Sequence, residues 1–267
     1  RRINNMSTWE DFEIECTNYL NYYYGAYAKF VHQGGANSTI PDILVKTNDS
    51  KAFYIEVKLP QAQSGQFVLI PDNSSKKFIF SPRNKTVKNE FTEIITEHMN
   101  NDFDRFNNAG TAGRNLDINK NIFGQWIVNY FKSKGVKYFI TKDTNYIIFP
   151  TSQFGFYFDI TATYRIKRSG SSEPSKKYQP MVVAELQSEY EINTAVAKDK
   201  KLFVTGNSSL DKVRFIKGNY EYYLAPKGED LYEVRQLSNT YNMNVIFSIT
   251  LKKEQDPSDL KIFEGEF

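Results

Sequence analysis

The sequence predicts an α/β protein with a β-rich second part, and three observations carry that reading. Apolar residues recur three and four apart over residues 7–23, 90–106 and 123–134, the spacing of helices that bury one face. Between these segments lie short β-branched and aromatic runs bounded by polar or glycine-rich breaks, which read as strands. From Phe158 an alternation of period two sets in, as in a strand with two different faces.

In chain order, Ser7 and Glu10 form a capping box, with a helix predicted to run to Tyr23 and stop before Gly25. Trp9, Phe12, Cys16, Tyr19, Leu20 and Tyr23 make its apolar stripe. Glu13 sits within that stripe, and a carboxylate facing a core needs a partner. It is either a metal ligand or a helix-edge glutamate with a basic neighbour. Residues 27–33 read as a first strand, and Gly34 to Thr39 as a loop delivering the chain to Pro41.

Two runs follow, Asp42-Ile43-Leu44-Val45 and Ala52-Phe53-Tyr54-Ile55-Glu56-Val57-Lys58, around a polar break. They predict a β-hairpin with Asp42 opposite Glu56, Leu44 opposite Tyr54 and a loop from Thr47 to Lys51. Asp42, Leu44, Tyr54, Glu56 and Lys58 then share one face, while Ile43, Val45, Phe53, Ile55 and Val57 make the other wholly apolar. Like charges directly opposite in a sheet are destabilising, so folding alone does not select this acidic pair. A divalent cation removes the objection. Mg²⁺ prefers carboxylate oxygens and keeps several waters, and such an ion orients water and stabilises charge on a phosphate. Lys58, two positions on, would assist the attacking water or neutralise the phosphorane.

Past Pro60 come three glutamines, Gln61, Gln63 and Gln66, and a buried strand over 67–70. Lys76, Lys77, Arg83, Lys85 and Lys88 with Phe78 and Phe80 form a basic segment, either a solvated face or a phosphate-contacting edge. A helix over 90–106, a loop over 107–121, a helix over 123–134 and a strand pair at 136–140 and 146–149 follow. In the strand from Phe158, Ile160, Ala162, Tyr164 and Ile166 share one face, and Thr161, Thr163, Arg165 and Lys167 the other. With the Ser/Gly loop beyond it and Lys176-Lys177, this basic face suits a DNA groove; an edge strand guarded by charge is the alternative. Residues 181–205 are ambiguous, 237–251 read as loop and buried strand, and the final residues as an exposed tail. The expected division is a core over 1–150 and a β-rich recognition region over 151–267, or one continuous domain.

Composition narrows the chemistry. With 267 residues, 40% of them hydrophobic, the chain can bury a large core. A net charge of only +3 means that nucleic-acid affinity must come from local clusters. The lone Cys16 excludes an internal disulfide and a cysteine zinc site, and His32 and His98 supply little for histidine-metal chemistry or a Ser-His-Asp triad. No apolar stretch has membrane-spanning length and no signal peptide is evident. The expectation is a cytoplasmic protein with no membrane partner.

Pro41-Asp42 followed by Glu56-Val57-Lys58 resembles the PD-(D/E)xK nuclease superfamily. Residues 9–13, 54–58, 63–71, 130–137, 163–167, 169–171 and 237–240 further resemble type II restriction endonucleases that read GCGC, and these segments span most of the chain. That resemblance implies a central mixed sheet flanked by helices, with an additional β-rich part for DNA recognition. It also implies Mg²⁺-dependent double-strand cutting at a short palindrome, with 5′-phosphate products. Asp42, Glu56 and the Val57 carbonyl become the metal ligands with Glu13 as a further candidate, and Lys58 and Gln66 join the catalytic set. DNA contacts are expected from Asn37, Ser38, Gln63, Tyr164, Arg165, Lys167, Ser169, Gly170, Ser171, Lys176 and Lys177. The implied partners are double-stranded DNA and, functionally, a cognate DNA methyltransferase; monomer and homodimer both stay open. Two other readings share the fold: a structure-specific nuclease of junction-resolvase or repair type, and an inactive DNA-binding protein. Intact Asp42, Glu56 and Lys58 argue against the second.

Overall fold

The structure, a computed structural model, describes residues 9–33, 40–168, 170–228 and 230–267. In order the elements are α1 (Trp9–Tyr24), β1 (Ala28–His32), β2 (Ile43–Thr47), β3 (Ala52–Val57), β4 (Gln61–Asp72), β5 (Lys77–Phe80), α2 (Glu90–Asn101), α3 (Phe103–Asn107), β6 (Arg114–Asn115), α4 (Lys120–Ser133), β7 (Val136–Lys142) and β8 (Tyr146–Pro150). Then come α5 (Phe154–Tyr157), β9 (Phe158–Arg168), β10 (Ser171–Ser172), α6 (Gln179–Glu189), β11 (Thr194–Lys198), β12 (Lys201–Thr205), β13 (Arg214–Lys217), β14 (Tyr220–Gly228), β15 (Leu231–Leu237), β16 (Tyr241–Leu251) and α7 (Pro257–Glu264). No helix among the described residues is long and apolar enough to cross a membrane.

The first sheet runs β1-β2-β3-β7-β8. β3 and β7 are parallel and the other neighbours antiparallel, so it is the expected mixed sheet. α1 and α7 cover one face, where Phe12, Cys16, Leu20 and Phe263 pack on Ile43, Val45, Ile55, Val57, Ile140 and Ile148. On the other side Phe131 of α4 joins Phe139 and Phe149 in a second cluster. The apolar side of the hairpin is therefore a helix-covered core face. Its polar side looks toward α4.

A second sheet, β5-β4-β16-β9-β6, adds Phe67, Leu69, Ile160, Ala162, Tyr164 and Phe247 to the α4 cluster. β4 carries one extra residue against β16, with Gln63 opposite Ser248 but Gln66 opposite Ile246. Gly65 lies in this bulge at φ 102°, and a Cβ there would stand 2.6 Å from Cζ3 of the buried Trp126. Only glycine meets both demands.

The chain divides into two compact units, Arg1–Arg165 with Met243–Phe267, and Ile166–Asn242; the sequence reading drew its boundary near residue 150. The C-terminal segment returns to the first unit because β16 pairs with β4. The second unit is a sheet of order β11-β12-β15-β14-β13 with β10 on β15. Val182 and Leu186 of α6 pack there on Leu202, Val204, Leu224 and Val234.

Several expectations need correcting. Trp9 and Tyr23 are 50% and 60% exposed, because the contact line of α1 is the narrower 12-16-20 row with Glu13 and Thr17. The helix expected over 90–106 breaks at Asp102, whose φ of −134° ends one helix and whose next residue starts another. The expected tail is largely α7, with Asp256 capping the Ser258 N–H at 3.0 Å and Pro257 in the first turn. The Ser7 cap and the Gly34–Thr39 loop lie outside the described residues.

Candidate active site

β2 and β3 pair with Ile43 opposite Ile55, Leu44 opposite Tyr54 and Lys46 opposite Ala52, the register that the alternation predicts. Ser50 takes a positive φ of 69° in the connecting loop, and the Lys51 N–H donates to Thr47 Oγ1 at 3.0 Å. Asp42 stands one position before β2, across from Glu56 at the open end of the hairpin. Its Oδ2 accepts the Val57 N–H at 2.8 Å, so the carboxylate is fixed against the strand that carries Glu56.

Lys58 Nζ donates to Glu56 Oε1 at 2.6 Å, with the two side chains 13% and 10% exposed. Burial pushes the Glu56 carboxyl above its ordinary range; Lys58 opposes the rise and Asp42 adds to it. Asp42 is raised in the same way, first by burial, against the pull of Lys58 and with a push from Glu13. Burial alone would lower the Lys58 ammonium, but Glu56 and Asp42 outweigh it and hold it above the usual lysine range. The three groups thus share one electrostatic problem: two buried anions and one buried cation.

Among the described residues no three His, Cys, Asp or Glu side chains converge as a metal-binding group. The donor chemistry still fits a hard divalent ion. Mg²⁺ at phosphoryl-transfer sites takes one or two carboxylates and leaves the rest of its shell to water and substrate oxygens. Burial raises both Asp42 and Glu56, and the charge of Asp42 adds to the rise at Glu56; such an ion would relieve the pair.

Glu13, buried on α1, lies 2.9 Å from Nε2 of His32 on β1. The basic neighbour that a core-facing glutamate required is therefore a histidine. Glu13 pushes the Asp42 carboxyl up and His32 opposes it. Sequence reasoning noted His32 without pairing it, since neither residue is near the other in the chain.

α4 contributes residues to which the sequence reading gave no role in the site. Lys58 Nζ lies 5.0 Å from the Phe131 ring centroid. Lys134 Nζ lies 4.2 Å from that of Tyr130 and 5.4 Å from that of Phe131. Burial lowers the Lys134 ammonium; Glu56 opposes this, Lys58 adds to it and Asp42 opposes it. The Tyr130 hydroxyl is raised by burial and by Glu56. Gly135, at φ 78°, accepts the Tyr54 N–H at 3.3 Å and so ties the end of α4 to β3. A glycine closing a helix beside the run Tyr130-Phe131-Lys132-Ser133-Lys134 was the available signal. What the sequence did not show is that this helix end meets β3.

The remaining candidates lie on other elements. Gln66 and Gln63 are exposed on β4 of the second sheet. Tyr164 is not a surface contact: its ring is buried and its hydroxyl donates to the Leu69 carbonyl at 3.0 Å. It belongs to the inward face of β9, as its place in the alternation required. Arg165 is half-buried at the end of the first unit. Lys167, Gly170, Ser171, Lys176 and Lys177 fall in the second unit. There the Arg235 guanidinium donates to Ser171 O at 2.9 Å and to Ser171 Oγ at 3.2 Å. Asn37, Ser38 and Ser169 lie outside the described residues.

No family model matches the chain, and no curated protein matches it. A solved structure of HhaI endonuclease in complex with DNA is similar over 97% of this chain and 98% of that one, with 37% sequence identity and a TM-score of 0.81.

Proposed function

The chain belongs to the family of the HhaI endonuclease, and from that premise we propose that it cuts both DNA strands at GCGC by Mg²⁺-dependent hydrolysis, leaving 5′-phosphates. The observation that carries the proposal is the Asp42-Glu56-Lys58 cluster, built on one hairpin end within a fold shared along nearly the whole chain with a restriction endonuclease. Asp42, Glu56 and the Val57 carbonyl would hold Mg²⁺, which when bound supplies positive charge at the phosphate and a water of lowered pKa.

The chain's own groups set the rest. The Val57 N–H holds Asp42 in place, so little reorganisation is needed when substrate arrives. Lys58, stabilised as an ammonium by both carboxylates, enters as a cation and donor to the attacking water or a phosphate oxygen. Glu13, held by His32, stands behind Asp42 as a further ligand candidate, and Gln66 is the weaker catalytic candidate. Gln63, Arg165, Lys167, Gly170, Ser171, Lys176 and Lys177 are the proposed DNA contacts among the described residues. Such an activity implies a methyltransferase that protects the host's own GCGC sites.

The test is digestion of unmethylated phage DNA with Mg²⁺, with EDTA as control, followed by mapping of the fragment ends. Discrete fragments ending within GCGC are expected. Discrete fragments at another palindrome would refute the GCGC assignment, and cutting of branched DNA alone would replace the restriction reading with a structure-specific one.

A further inference from the structure

We propose that Lys134 is a second active-site lysine, contacting a non-bridging oxygen of the phosphate that is cut. The inference rests on the nuclease reading above and adds a residue to its site. Three observations on separate elements converge. Gly135 O accepts the Tyr54 N–H at 3.3 Å, which fastens the end of α4 to β3 two positions before Glu56. The Lys134 ammonium lies against the rings of Tyr130 and Phe131 at 4.2 and 5.4 Å. The Lys58 ammonium lies 5.0 Å from that same Phe131 ring, so one aromatic side chain spaces both lysine heads.

Charge gives this spacing its use. Asp42 and Glu56 carry two negative charges, and Lys58 and Lys134 carry two positive ones. Acidic and basic groups are thus interleaved without substrate, with Glu13 and His32 paired beside Asp42, and a half-buried lysine is accommodated beside Lys58. When a divalent ion takes over the carboxylates, the same pair of ammonium groups faces an excess of positive charge. A phosphodiester anion answers that excess. The aromatic platform restricts where the Lys134 head can go and removes water from one side of it, which strengthens its attraction to an anion. The plain alternative is a lysine at a helix C-terminus that interacts with the helix dipole. Such a lysine affects stability, not the substrate.

The experiment compares wild type with Lys134→Gln and Lys134→Arg on a short duplex carrying one GCGC site. Single-turnover cleavage at saturating enzyme is measured with Mg²⁺, and affinity is measured against salt concentration with Ca²⁺ in its place. Loss of a charge-stabilising donor predicts a drop in cleavage rate of about a hundredfold for Lys134→Gln. Loss of one phosphate contact predicts a salt slope shallower by about one. Lys134→Arg should restore the slope. If Lys134→Gln changes only the melting temperature, with rate and slope as in wild type, Lys134 is a helix-end residue and the inference is wrong. If wild type itself neither binds nor cuts the duplex, it is the nuclease reading that fails.

Discussion

Lys58→Met offers a direct measure of how the acidic pair is tolerated. The variant keeps the stem of the side chain and removes an ammonium 2.6 Å from Glu56 Oε1. Removing one partner of a buried ion pair typically costs about 3–5 kcal/mol, because the other charge is left buried and uncompensated. Here two carboxylates are left. Adding Glu56→Gln to Lys58→Met should therefore recover part of the loss, although each change alone is deleterious to cleavage. The pH dependence has a definite sign. Asp42 and Glu56 are already raised above their ordinary range in the folded protein, and loss of Lys58 raises them further. A folded state that binds more protons than the unfolded one gains stability as pH falls. The Lys58→Met deficit should thus be largest above neutrality and fade below the unfolded carboxyl pKa, about 4. Denaturant melts of wild type, both single variants and the double variant across pH would measure it. Penalties that add to within about 0.5 kcal/mol at neutral pH, or a deficit that grows toward acid, would refute the reasoning.

Other outcomes follow from the same geometry. Asp42→Asn can keep the acceptor for the Val57 N–H while removing one buried charge; it should abolish cleavage yet leave metal-free stability equal or raised by about 1 kcal/mol, as a thermal melt alongside an activity assay would show. Gly65→Ala must accept both a φ of 102° and a Cβ 2.6 Å from Trp126. Strain and overpacking together predict a loss of about 2–5 kcal/mol, readable in the urea midpoint. Phe263→Ala empties a fully buried position under the first sheet and should cost about 3–5 kcal/mol; a change under 1 kcal/mol would mean that α7 is not packed as described.

Local pattern made the hairpin readable. Two alternating runs and a polar break determine a register, and a one-residue slip would have turned Asp42 and Glu56 away from each other. The same alternation places Tyr164 inward, so the expectation of a DNA contact there ran against a signal already in the sequence. What stayed hidden is non-local. The parallel neighbour of β3 is β7, reached through a long excursion, and no period in either strand announces the partner. Lys134 comes to the site only through that pairing, and His32 meets Glu13 only because β1 lies under α1. α7 was missed for a different reason: Asp256-Pro257 is a good helix start, but the charged composition around it outweighed one buried Phe263.

The most direct test of the central claim is cleavage of a labelled GCGC duplex by wild type, Asp42→Ala and Glu56→Gln under single-turnover conditions with Mg²⁺, each variant first shown to be folded. Fast cutting within GCGC by wild type, with both folded variants slower by about a thousandfold or more, is the expected result. Cleavage by either folded variant at the wild-type rate would contradict it, because the reaction would then belong to some other part of the molecule.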